Sequence, residues 1–281
     1  MSSTTFVVGV GYLGRRYLDQ NKNTLGLTRQ DHDLDHDDPL TVELPQDYNV
    51  IYTVPPSSEA ASDTRLQRLL AGLAPAPRRF VYISTTGVYG DHGGAAVDEN
   101  TAVNPGSDHA ARRVAAESAL DAWATDSGST VVILRVPGIY GPGRLGVERI
   151  RDQVPIVCDE DLGPGNRIHV DDLAACCAAA LADDVPGGIY NVGDGDHRTS
   201  TWFTKEVARQ LDLPPPPTIT MEEAEQQFSP MRLSFLRDKR TVDTTKMHDV
   251  LGVNLTYPSP EDGIGASLDE ESRVRGASYR K

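Results

Sequence analysis

Short runs of β-branched and aromatic residues alternate with longer Ala- and Leu-rich stretches through roughly the first 190 residues. Thr5–Val10, Asn49–Val54, Arg79–Ser84 and Thr130–Val136 are apolar at most positions, as strands covered on both faces are. Between them, Gly11–Gln20, Glu59–Ala74 and Asp108–Thr125 carry apolar residues at helical spacing. This alternation predicts βαβ units with right-handed crossovers, hence an α/β fold with a doubly wound parallel sheet. The ligand crevice is then expected at the carboxyl ends of the strands. Past about residue 191 the pattern changes to a helix over Ser200–Leu211, a stiff Pro214–Pro217 connector, Arg-bearing polar segments and a tail without strong periodicity. The chain is therefore expected to divide into a nucleotide-binding part over 1–195 and a small substrate-covering part over 196–281. Residues 145–165 are expected to contribute to the substrate lobe.

Gly9-Val-Gly11-Tyr12-Leu13-Gly14 closes the first strand and opens the first helix. The first glycine permits the tight turn, the second lets a pyrophosphate approach the backbone, and the third lets helix and strand pack closely. Free N–H groups of this turn, including those of Tyr12 and Leu13, together with the helix dipole, would hold the phosphates. In this context the turn points to a Rossmann dinucleotide site. NAD binders place an acidic residue about 20 positions on, where it accepts from the ribose 2′-hydroxyl. Here that place holds Arg29, preceded by Thr28. A guanidinium pairs with a 2′-phosphate and gains little from a hydroxyl, so NADP is expected ahead of NAD, with Thr28 assisting.

Charge narrows the partners. The 281 residues hold 27 Lys and Arg against 41 Asp and Glu, a formal charge of −14. Sequence-independent binding to nucleic acid or to an acidic membrane surface is disfavoured. Met1-Ser-Ser-Thr-Thr lacks a basic leader, and no apolar run is long enough to span a bilayer, so a cytoplasmic location is expected. Three cysteines, Cys158, Cys176 and Cys177, suggest neither a disulfide framework nor a zinc site, and the acidic stretch Asp31–Asp38 lacks the glycine and terminal glutamate of a calcium loop. No metal is expected.

Several further segments resemble the extended and atypical short-chain dehydrogenase/reductases, the NAD-dependent epimerase/dehydratase group, over residues 5 to about 265. They are Val81-Tyr-Ile-Ser-Thr-Thr-Gly-Val-Tyr-Gly90, Leu134-Arg-Val-Pro-Gly-Ile-Tyr-Gly-Pro-Gly143, Arg167-Ile-His-Val-Asp-Asp-Leu173 and Tyr190-Asn-Val-Gly193. The resemblance implies that Thr53 and Pro55, in Tyr52-Thr-Val-Pro-Pro56, run beside the cofactor. The family's stretch between strands two and three looks shortened to 29–49, with Pro39 and Pro45 disfavouring a long helix. The family's reaction uses a Ser/Thr hydroxyl and a Tyr-x-x-x-Lys pair, in which lysine tunes the tyrosine as acid or base.

The hydroxyl carries over to Thr85. The pair does not: Asn104–Glu117 is similar to the family's run position by position, yet places His109 at the tyrosine and Arg113 at the lysine. None of the ten tyrosines has lysine four residues on. In one reading His109 substitutes as acid or base while Arg113 binds the ribose. In the other the helix has lost its chemistry, His109 lies on a polar surface and Arg113 pairs with Glu117 at i,i+4. Tyr89 and Tyr140 remain as alternative proton donors, and Arg144 and Arg167 as contacts for an anionic substrate. The resemblance implies an NADP-dependent oxidoreductase or epimerase acting on a sugar nucleotide or another small carbonyl compound. An NADP-binding regulator or sensor without turnover is the alternative. A homodimer is left open.

Overall fold

The computed structural model describes residues 3–36 and 42–276. Asp37, Asp38 and Pro39 of the acidic stretch lie outside them. Twelve strands occur among the described residues: β1 (Thr4–Val8), β2 (Thr24–Leu27), β3 (Tyr48–Tyr52), β4 (Arg79–Thr85), β5 (Ala96–Val97), β6 (Thr130–Val136), β7 (Gly138–Tyr140), β8 (Ile156–Val157), β9 (Arg167–His169), β10 (Gly188–Asn191), β11 (Thr218–Ile219) and β12 (Thr241–Val242). The helices are α1 (Tyr12–Gln20), α2 (Thr64–Gly72), α3 (Asp108–Ser127), α4 (Val147–Arg151), α5 (Val170–Ala179), α6 (Ser200–Gln210), α7 (Met221–Gln227), α8 (Pro230–Arg237), α9 (Thr245–Asp249) and α10 (Pro260–Arg275).

Six strands form one parallel sheet in the order β2-β1-β3-β4-β6-β10. Alternating side chains serve opposite faces, as the period of two requires. Phe6, Val50, Phe80 and Ile133 pack with Leu66, Leu69 and Leu120 of α2 and α3. Val7, Ile51, Val81 and Val132 pack on the other face with Leu13 and Tyr17 of α1 and Leu173 of α5. The strand order reverses between β1 and β3, and the crevice at the carboxyl ends of these strands is the expected ligand site of such a sheet.

Two expectations need correction. The second helix begins at Thr64 instead of Glu59, because the Asp63 carboxylate caps it by accepting from the Leu66 N–H at 3.1 Å. The tail holds the 16-residue helix α10, whose Ile264 and Leu268 pack with Val207 and Ala208 of α6. Its periodicity is weak because small residues take part in the contact: a side chain at Gly263 would strike the Tyr140 ring. Residues 145–165 contribute α4 and β8, and β8 pairs with β11 from beyond residue 196.

Candidate functional site

The glycine turn sits at the switch point between β1 and β3. Gly9 has φ +95°, and a Cβ there would lie 2.8 Å from Thr53 Oγ1. A Cβ on Gly14 would collide with the Gly9 carbonyl oxygen, so the third glycine lets α1 pack on β1. A Cβ on Gly11 would meet nothing within 4 Å; this glycine borders open space. That space is a cavity of about 310 Å3 lined by Gly9, Gly11, Thr28, Arg29, Thr53 and Pro55 among others. Open space at the second glycine, with two tight glycines around it, fits a dinucleotide whose phosphates approach the backbone.

The predicted cofactor residues take different places around this cavity. Thr53 Oγ1 donates to the Gly9 carbonyl and fixes the turn. Thr28 Oγ1 donates to Asp31 at 2.7 Å. Arg29 is 68% exposed and pairs with Asp33 at 3.2 Å and Asp35 at 3.0 Å. Leu13 is buried in the core and presents only backbone to a ligand. Tyr12 donates to the Pro142 carbonyl at 3.0 Å and lies under Arg144, 3.9 Å from ring centroid to guanidinium carbon. Both contacts turn it toward the segment that follows β7. Arg65 was not evident from sequence; α2 brings it to the same cavity, where it binds Asp35 and the Pro55 carbonyl. No spacing rule connects residue 65 to the glycine turn, so the fold alone reveals it.

A second cavity, of about 370 Å3, opens beyond the end of β4. Thr85, Gly87, His109, Gly138, Asn166 and Ser200 are among its lining residues. Thr85 Oγ1 accepts from the Gly87 N–H at 3.1 Å and so caps the turn while facing the cavity. Ser107 caps α3 through the Ala110 N–H at 3.3 Å, which places His109 in the first turn. Burial lowers the His109 pKa from its ordinary value, and the Arg113 and Arg112 guanidinium groups lower it further. The ring is held neutral and can accept a proton near pH 7.

Arg113 fits neither sequence reading. Its side chain turns inward: Nη1 donates to Tyr82 Oη at 3.0 Å and to the Ile83 carbonyl at 2.7 Å. The expected Arg113–Glu117 pair is absent, because Glu117 is taken by Arg135 at 2.6 Å and by the Ser84 hydroxyl. His109 is solvent-exposed, as the surface reading expects, and it also lines the second cavity.

Both alternative tyrosines are interior. Tyr89 Oη donates to Asn191 Oδ1 at 2.7 Å, and the Tyr89 ring lies 4.8 Å from the Arg135 guanidinium carbon. Tyr140 packs edge-on against His169 and Phe203, each at 5.2 Å, and burial pushes its phenol well above the usual range. Neither lines the His109 cavity. Arg167 is buried and committed, pairing with Asp196 at 2.6 Å and donating to the Arg198 and Thr199 carbonyls.

Arg144 joins two arginines that sequence did not single out. Arg144, Arg149 and Arg232 line a third cavity of about 300 Å3, together with Ser200 and Leu236, which also line the His109 cavity. Among the described residues, no acidic side chain lines it. Burial and the neighbouring Arg149 push Arg232 down to about 10. Three guanidinium groups without a carboxylate among the described lining residues can bind an anion beside the wall that this cavity shares with the His109 cavity.

The model of the NAD dependent epimerase/dehydratase family matches residues 56–193. Protein YeeZ of Escherichia coli (strain K12) is 31% identical over 184 residues, covering 65% of this chain and 60% of that protein. The dTDP-glucose 4,6-dehydratase of Streptomyces niveus is 30% identical over 142 residues, covering 47% and 41%. The chain thus matches less than two thirds of the length of these curated relatives. A functionally unknown conserved protein from Silicibacter pomeroyi superposes with a TM-score of 0.79 at 29% identity, over 96% of this chain and 99% of that one.

Proposed function

We propose that this chain, whose residues 56–193 match the model of the NAD dependent epimerase/dehydratase family, is an NADP-dependent oxidoreductase or epimerase acting on an anionic sugar nucleotide or similar carbonyl compound. The observation that carries this reading is the placement of His109 and Thr85 in one cavity that shares Ser200 and Leu236 with the three-arginine cavity.

Gly9, Gly11, Thr28, Arg29, Thr53 and Pro55 are the residues that would hold the cofactor, with Arg29 directed at a 2′-phosphate. The bound nicotinamide supplies the hydride acceptor or donor. Arg144, Arg149 and Arg232 hold the substrate's phosphate groups. Thr85 hydrogen-bonds the reacting oxygen, and neutral His109 takes the hydroxyl proton as the carbonyl forms. In the reverse direction the imidazolium returns that proton. His109 thereby does alone what a tyrosine needs a lysine for, since an imidazole is already a base at neutral pH.

A second reading, a cofactor-binding sensor without turnover, is favoured by one observation: the residue at the lysine position points into the core. Hydride transfer measured across nucleoside-diphosphate sugars as a function of pH separates the two. For the enzyme, kcat/KM rises with pH to a plateau, along a limb centred below pH 6.5, because His109 must lose its proton and its folded pKa is lowered. His109→Gln abolishes that limb and lowers kcat by about 100-fold or more. Unchanged turnover in the variant removes His109 from the mechanism. NADPH binding without turnover across the panel favours the sensor.

A further inference from the structure

The dinucleotide cavity contains its own anion between two arginines. Asp35 stands in the turn after β2, where its backbone N–H donates to Asp33 Oδ1 at 3.0 Å. Its carboxylate receives Arg65 through Nε at 2.6 Å and Nη2 at 2.9 Å, a two-pronged contact, and Arg29 through Nη2 at 3.0 Å. Arg29 Nε is taken by Asp33 at 3.2 Å. Arg29, Asp33, Asp35 and Arg65 all line the cavity that Gly9 and Gly11 open onto.

The charges of these four groups cancel. A bare Arg29 would attract a phosphate monoester strongly, since guanidinium and phosphate make short, charge-assisted contacts. Here both guanidinium groups are already paired with carboxylates, and Arg65 Nη1 donates to the Pro55 carbonyl at 3.0 Å, so an incoming phosphate gains less than it would from bare arginines. It also meets the residual repulsion of Asp33 and Asp35.

We propose that Asp35 is a specificity-determining residue: it competes with the cofactor's 2′-phosphate for Arg29 and Arg65 and thereby holds down the preference for NADP over NAD. A 2′-hydroxyl leaves the Arg29–Asp35–Arg65 arrangement undisturbed, whereas a 2′-phosphate has to displace Asp35. The inference rests on the reading of Arg29 as the 2′-phosphate contact.

The test uses 2′,5′-ADP and 5′-AMP, which differ in the 2′-phosphate and carry no nicotinamide, titrated calorimetrically into the full chain at low salt. The wild type binds 2′,5′-ADP more tightly than 5′-AMP, and Arg29→Gln removes the difference. Asp35→Asn tightens 2′,5′-ADP by about fivefold, the scale of one exposed ion pair, and leaves 5′-AMP within about twofold. Arg65→Gln weakens 2′,5′-ADP alone. Unchanged or weaker 2′,5′-ADP binding by a folded Asp35→Asn, with the Arg29→Gln loss intact, overturns the competition and leaves Asp35 as a positioning residue. Equal binding of the two nucleotides by the wild type and by Arg29→Gln overturns the underlying NADP reading instead. Thermal unfolding of each variant checks that the fold is retained.

Discussion

Arg113 illustrates how one side chain can occupy a functional position in the sequence and a structural one in space. The sequence places it where the resembled family keeps lysine, and the spacing from His109 is right for a shared helix face. Its guanidinium nevertheless reaches the other way, because the end of β4 offers two acceptors, Tyr82 Oη and the Ile83 carbonyl. Nη1, held in the rigid guanidinium plane, directs its two N–H groups to both acceptors, which a lysine ammonium on a shorter, flexible stem does less well. Arg113→Lys is therefore expected to be destabilising, by about 1–3 kcal/mol, as a buried acceptor loses its donor. Urea denaturation measures this. A variant as stable as the wild type would show that the inward contacts contribute nothing to the fold. Sequence identified the position and the residue type, but the choice between ribose and core depends on which acceptors lie across the helix, and no spacing encodes that.

At the scale of elements, α3 is fastened to the sheet by a charge pair that joins three segments. Glu117 of α3 meets Arg135 of β6 at 2.6 Å and Ser84 of β4, and the two charged side chains are 8% and 4% exposed. An intrahelical partner for Glu117 was the natural expectation from the i,i+4 spacing, yet a helix face turned toward a sheet finds its neighbours on strands. Removing the carboxylate leaves Arg135 charged, buried and unpaired, which typically costs 3–5 kcal/mol, about the loss expected for Glu117→Ala in denaturant unfolding. A loss below about 1 kcal/mol would mean that water reaches Arg135 in the variant. The resembled Arg167–Leu173 stretch works in the same way. Arg167 grips the 198–199 backbone, His169 caps α5, and the Asp172 carboxylate accepts from the Thr256 and Tyr257 N–H groups at 2.6 and 3.0 Å. These contacts tie the late segments to the sheet. β1, β3, β4 and β6 and helices α1, α2 and α3 were readable because each satisfies a simple period, while short elements such as β5 and β8 carry too few residues to show one; the late helix α10 was not readable, because glycine and serine share its packed face with Ile264 and Leu268.

For the molecule as a whole, the cavity at the glycine turn is a junction. Its walls come from the turns after β1, β2 and β3 and from Arg65 and Leu69 of α2. The glycine spacing pointed to this cavity in the sequence, while Arg65 and the Asp33–Asp35 turn that line it become visible only when β2, β3 and α2 are folded together. Since the unfolded chain holds none of these groups in place, a ligand bound there shifts the equilibrium toward the folded state by mass action. With NADPH at 100 times its Kd, unfolding is expected to cost about 2.7 kcal/mol more than in its absence. For a chain of 281 residues that corresponds to a rise in Tm of roughly 5 °C. Thermal unfolding with NADPH, NADH and neither measures it. Asp35→Asn widens the gap between the two cofactors if the carboxylate competes with the 2′-phosphate. A Tm that responds to neither cofactor would place the nucleotide, if any, elsewhere in the molecule, and would leave the glycine turn as a packing device between β1 and α1.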